Sequence, residues 1–280
     1  VRNGVQTLPA LVRADGMTPL TREAAYGDSR WPGASRGRAH RDWRVSAGSA
    51  DADNNGEIDI SAFRGRDLER SEGVIYGAIQ TQIQSIVGAG LQAVPTPDWV
   101  TLGKSKKWAD AWSRIVRNKF RNWSNTSDCD ASRTESLGFL AGELLTSTMI
   151  SGSGVAVPYY LPDNGLTRYG TCFRVVEADR VCNPNFGADT DTLRRGIHID
   201  PETGAPLGYW LCSRHPGDAL GLLASGVKRE WTYVKAFTSW GRRRLIHVYP
   251  RRRPEQSPAS FRTPWRASSA TPAPRPRSRT

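Results

Sequence analysis

The sequence predicts an α+β fold in which helices come first and a mainly antiparallel β region follows. Between about residue 66 and residue 151, apolar side chains recur at three- and four-residue spacing, the period of helices with one buried face. From Val155 onward the pattern changes to short runs rich in Val, Ile, Tyr and Trp. The connections in that second half carry turn residues, as in PDNG and PETG. The chain therefore divides into a flexible arm at 1–38, a helical part at 39–153, a β-rich part at 154–250 and an Arg/Pro-rich tail at 251–280.

A chain of 280 residues with 38% apolar residues can bury a substantial core without staples. Its uncharged apolar runs, such as Val74–Ile79 and Gly154–Leu161, are far shorter than the ~20 residues of a membrane span, so no membrane partner is expected. The opening residues VRNGVQTLPALVRADG lack an apolar signal core, and no secretion signal is expected. Cys129, Cys172, Cys182 and Cys212 form no CxxC pair, and the four histidines are far apart, so the thiols are read as free and partly buried, with no metal and no cofactor. The net charge of +12 is uneven: eight Arg against one Glu give residues 251–280 a net +7. An exposed arginine run attracts any phosphate by counterion release, so this charge carries little specificity.

Taken in order, residues 1–38 are rich in Gly, Pro, Ser and Arg and read as a loosely structured arm. His40, Asp42 and Trp43 follow, and then DADNNGEID places Asp51, Asp53, Asn55, Gly56 and Asp59 as in the start of an EF-hand calcium loop. The twelfth position is Ala62, where a bidentate Glu belongs, so the segment reads instead as a polar loop leading to a helix. That helix is the stretch RDLERSEGVIYGAIQTQIQSIVGAGLQAVP, Arg66 to Pro95. Leu68, Ile75, Ile79, Ile83 and Ile86 share one face, Gly88 and Gly90 supply a left-handed stop, and Pro95 and Pro97 prevent resumption.

A second amphipathic helix is predicted over Lys106–Asn125, with Trp108, Trp112, Ile115, Phe120 and Trp123 as an aromatic stripe read as core. Lys107, Arg114, Arg117, Lys119 and Arg121 occupy much of the remaining surface. A third helix, capped by Asp128 or Asp130, is expected from about Ser132 to Ser151, burying Leu137, Leu140, Leu144 and Leu145 and ending at Gly152 and Gly154. VAVPYYL, CFRVVE, RRGIHID, PLGYWLCSR, EWTYVKAF and RRLIHVY are the predicted strands, and IHIDPETGAPLGYWL reads as a hairpin turning at Asp200–Ala205.

Several segments in this order resemble the lambda-type portal protein family of tailed phages. They are the tryptophan at Asp42–Trp43, the helix RDLERSEGVIYGAIQTQIQSIVGAGL, NWSNTSDCDASRTES, GELL at Gly142–Leu145, VVEADRVCNP at Val175–Pro184, GIHIDPETGAPLGYWLCSRHPGD at Gly196–Asp218, and LIHVYPRRRPEQS at Leu245–Ser257. The resemblance covers about Arg41 to Ser257. It implies a wing-like part of a prophage-derived portal (head-tail connector) subunit. Such subunits form a ring, typically of twelve copies, at the virion's portal vertex, after residence in the host cytoplasm before assembly. Double-stranded DNA passes through the ring without sequence specificity as it is packaged and ejected. The implied partners are further copies of the chain, the packaging terminase, and capsid and head-completion proteins.

The resemblance implies no enzyme. No GxxxxGK, GxSxG or HExxH occurs, and SGSG at Ser151–Gly154 follows a predicted helix, as a stop does. No residue is assigned a catalytic, cofactor-binding or metal-ligating role, and none is named as a nucleic-acid contact. After Gln256 the sequence departs from the family, whose members continue into an Arg-Gly turn and a long helical stem. Here six prolines and eight arginines after residue 250 exclude a helical period, which reads as a frameshift near Ser257 leaving a truncated, disordered tail. Two other readings stand beside this one. In the first, a basic nucleic-acid-binding protein uses the Arg-rich tail and the Lys/Trp helix. In the second, an enzyme draws Glu177, Asp179 or His198 together through its fold.

Overall fold

A computed structural model describes residues 48–55, 57–161, 167–218, 228–251 and 253–260 of the chain. From Ser49 onward these belong to one unit, Ser49–Thr280. The arm at 1–38, His40, Asp42, Trp43, the PDNG turn and residues 261–280 lie outside the described residues.

DADNNGEID folds as a short helix, α1 (Ala52–Asn55), followed by the start of α2 (Ile58–Ser71). The acids that a calcium loop would turn inward are instead held by arginines distant in sequence. Arg194 donates to Asp51 at 2.9 Å, Arg253 to Asp53 at 2.6 Å, and Arg195 pairs with Asp59.

Where the spacing predicts one helix from Arg66 to the glycine stop, there are two. α2 ends at Ser71, Glu72 is extended (φ −115°, ψ 103°), and α3 runs Gly73–Ile86. The Ser71 hydroxyl donates back to the Asp67 carbonyl at 2.6 Å, and Gly73 is a poor helix former, so a break here costs little. Consequently the predicted stripe is not one buried face. Ile79 is buried, Leu68, Ile75 and Ile83 are half-buried, and Ile86 is exposed. Gly88 (φ 52°) and Gly90 (φ 100°) are left-handed, as the stop requires. α2 lies close against the helix that precedes the first strand: a Cβ on Gly65 would sit 2.8 Å from the Ile150 carbonyl oxygen.

An extended strap leads to α4 (Lys106–Ser124), whose N-cap Ser105 accepts the Trp108 N–H at 3.2 Å. α5 (Leu137–Ser151) starts five residues later than predicted, with Ser136 at the N-cap position and no side-chain cap bond from it. Asp130 does not cap it. The Asp130 carboxylate closes the preceding turn, accepting backbone N–H groups from Ser132 (3.0 Å), Thr134 (3.0 Å) and Glu135 (3.2 Å). Burial alone would raise its pKa, but the hydrogen bonds from Ser132 and Thr134 win and hold it at about 2. Of the predicted leucines on α5, Leu140 is buried and the other three are half-buried; Gly152 (φ 80°) ends the helix.

Six strands are expected and seven follow: β1 (Gly154–Tyr160), β2 (Thr171–Val176), β3 (Leu193–Arg194), β4 (Ile197–Ile199), β5 (Pro206–Cys212), β6 (Trp231–Lys235) and β7 (Ile246–Val248). The predicted strand RRGIHID is broken by a tight turn at Arg195 (φ 49°) and Gly196 (φ 77°) that folds β3 back on β4. They form two antiparallel sheets, ordered β2-β1-β7 and β3-β4-β5-β6. The predicted hairpin is β4–β5, its turn closed by the Asp200 N–H to the Ala205 carbonyl at 2.9 Å. The inner faces of both sheets share one core, including Val155, Val176, Ile197, Tyr209 and Leu245. At its edge Ser153 Oγ lies 2.9 Å from His247 Nε2, and burial pushes the imidazole down to about 4, so it is neutral at pH 7.

Ala259 belongs to the same core. Residues 253–260, placed by the sequence in an unstructured tail, fold back onto the start of the described unit. The Ser257 N–H donates to Asp51 at 3.0 Å, and the Ser260 hydroxyl donates to the Ala50 carbonyl at 3.2 Å. Ser, Pro and Ala are small enough to enter the core edge here, where one backbone N–H and one hydroxyl find partners in Asp51 and Ala50.

Candidate functional site

The feature that the core leaves unexplained is α4. At 100° per residue, Ala109, Val116, Phe120 and Trp123 lie on one side of this helix and Ile115, Trp108 and Trp112 on the adjacent side. The first set faces the protein. The Trp123 indole N–H donates to the Thr171 carbonyl at 2.8 Å, and its ring meets Phe173 edge-on at 5.9 Å. The second set does not. Trp108 and Trp112 stack on each other at 6.2 Å and are 37% and 40% exposed, and Ile115 is 54% exposed. The stripe read as core is thus core only at its C-terminal end.

Lys119 sits on the exposed aromatic side, and Lys106, Lys107, Arg114, Arg117 and Arg121 fall on the other half of α4. None of these six cations forms an ion pair with a described residue. A stacking site for single-stranded nucleic acid interleaves cations with aromatics; here the two are largely segregated, as on a surface that docks on protein. On the strap before α4, Val94, Val100 and Leu102 are also exposed.

A second feature is a groove of about 770 Å³ between α3 and α5, reaching the end of β2. Ile83, Val87, Phe139 and Ile150 make it apolar, and Gly142 keeps it open because a Cβ there would touch Ile83 at 3.4 Å. Glu143 and Glu177 border it, and burial together with the charges of Asp130 and Glu135 pushes the Glu143 carboxyl upward.

Beneath one end, Arg66 donates to Ser151 Oγ at 3.0 Å and pairs with Asp179, while His215 Nε2 lies 3.7 Å from both Glu177 and Asp179. The fold therefore does bring Glu177 and Asp179 together, but with His215. His198 is on β4, with its Nδ1 3.1 Å from the Tyr233 hydroxyl. The Ser151 hydroxyl is engaged by a guanidinium instead of an imidazole base, so the cluster reads as a tie between α2, α5 and the segment after β2. Among the described residues, no three His, Cys, Asp or Glu gather as metal ligands, and all four cysteines are unpaired. No described helix is long and apolar enough to cross a membrane.

The sequence model of phage portal proteins of the lambda family matches residues 36–259, most of the chain. The chain belongs to this family. It is 28% identical to portal protein B of Escherichia phage lambda over 246 residues, 87% of this chain and 44% of that protein. It is 29% identical over 245 residues to the portal protein of Escherichia phage N15, covering 86% of this chain and 44% of the relative. A probable portal protein of Halomonas phage phiHAP-1 is 24% identical over 194 residues, 66% of this chain and 35% of that one. The portal-family chain thus spans less than half the length of these relatives, and the matched region contains both α4 and the groove.

Sequence reasoning identified the residues of the α4 stripe but not their exposure. The available signal was the ratio of apolar width to helix length: a stripe too broad for one contact has two sides to cover.

Proposed function

We propose that this chain forms the wing-like part of a portal ring at the capsid vertex, where double-stranded DNA enters during packaging and leaves on ejection. Its role is structural: copies hold one another in a closed ring, and packaging terminase, capsid and head-completion proteins dock on that ring. The observation that carries this reading is the aromatic face of α4. Two stacked tryptophans and an isoleucine left in water are characteristic of a protein-protein interface, where aromatic residues are enriched. Family membership supplies the kind of partner, further copies of the chain.

The test is the mass of the purified chain in solution, by light scattering and native mass spectrometry, with ring images by electron microscopy. A closed oligomer, twelve copies on the family pattern, is the expected result. Trp112→Glu should shift it toward monomer while the circular dichroism spectrum stays unchanged. A wild-type chain that remains monomeric at every concentration reached would overturn the reading.

A further inference from the structure

Building on the ring reading, we infer that the exposed aromatic face of α4 in one copy docks into the groove between α3 and α5 of the next copy. The two surfaces complement each other in shape class. The α4 face is convex and carries three large apolar side chains, whereas the groove is concave, about 770 Å³, and apolar along Ile83, Val87, Phe139 and Ile150. A tryptophan buries ~150–250 Å² and is most effective as an anchor in a pocket of this kind.

They also complement each other in charge. The groove is bordered by Glu143 and Glu177, and its lining cation, Arg66, is already committed to Asp179 and Ser151. The α4 face brings Lys119, which is in no ion pair with a described residue. A cation delivered to Glu143 would compensate the charge that burial and its acidic neighbours disfavour.

Topology points the same way. A contact between two different surfaces is head-to-tail and propagates from copy to copy, so it can close a ring; a surface that pairs with itself stops at a dimer. The α4 face and the groove are different surfaces of one chain, built from different elements.

Two full-length variants, Asn122→Cys and Gln84→Cys, test this. Asn122 flanks the aromatic face without being one of its anchors, and both positions are exposed in the isolated chain, so folding should be preserved. Each is purified separately, mixed with the other in equal amounts, and treated with a short bis-maleimide. A product of twice the chain mass joining position 122 of one copy to position 84 of another, absent when either variant is treated alone, is the expected result. Cross-links between two copies of the Asn122→Cys chain would show a self-paired face and overturn the docking. An oligomer of native size with no 122–84 cross-link would overturn it while leaving the ring reading intact. If the mixture stays monomeric under conditions where the wild-type chain is also monomeric, ring and docking fall together. As a second readout, Glu143→Lys should weaken association roughly tenfold, and adding Lys119→Glu should restore it.

Discussion

The indole N–H of Trp123 reaches the carbonyl of Thr171 at 2.8 Å, joining the C-terminal end of α4 to the start of β2. With Phe173 packed edge-on against the same ring, this contact fixes the helix at one end while Trp112 and Trp108, about three and four turns away, face water. One aromatic stripe thereby divides into an anchor and a presented surface.

Trp123→Ala should therefore destabilise the isolated chain by about 3 kcal/mol, through lost packing and an orphaned carbonyl. Trp112→Ala should change it by no more than about 0.5 kcal/mol, because its site is already in water. Urea unfolding of the two variants, under conditions where the chain is monomeric, measures the difference. Equal losses would mean that Trp112 is packed within its own chain.

Asp130 makes stability depend on acid. Its folded pKa of about 2 lies below the ordinary 3.8, so its hydrogen bonds contribute fully above pH ~4 and are lost as pH falls toward 2. The lost contribution is about 2 kcal/mol. Asp130→Asn should flatten that part of the stability profile, and denaturant midpoints taken between pH 2 and pH 5 would show it.

Asp51 and Asp53 offer a matched pair. Asp51 is mostly buried and accepts from both Arg194 and the Ser257 N–H, so Asp51→Ala should cost about 2 kcal/mol and loosen residues 253–260. Asp53 meets Arg253 in the open, and Asp53→Ala should cost less than about 1 kcal/mol. Hydrogen exchange at Ser257 distinguishes the two, protection falling only in the first variant.

Gly208 lies beneath the ring of Tyr233: an added Cβ would overlap the hydroxyl oxygen. Gly208→Val should push that ring off the β5 backbone and away from His198, at about 1–3 kcal/mol. A lower melting temperature with altered tyrosine fluorescence is the expected signature.

The sequence by itself determined the order of elements, the strands almost to their ends, the left-handed stop at Gly88 and Gly90, the β4–β5 turn and the family. These depend on local chemistry: side-chain period, glycine freedom and turn propensity act over a few residues and can be read along the chain. The structure added four further points. The helix breaks at Glu72, where Ser71 and Gly73 make a break inexpensive. Asp130 closes a turn instead of capping α5, with donors only two to five residues away. The acids of DADNNGEID go to arginines up to 200 residues away, and 253–260 pack beside them. The aromatic stripe of α4 is half covered and half presented. These last two were decided by tertiary structure alone: each is settled by which partner arrives from elsewhere in the chain, and periodicity states only that a side chain is apolar, not what will cover it.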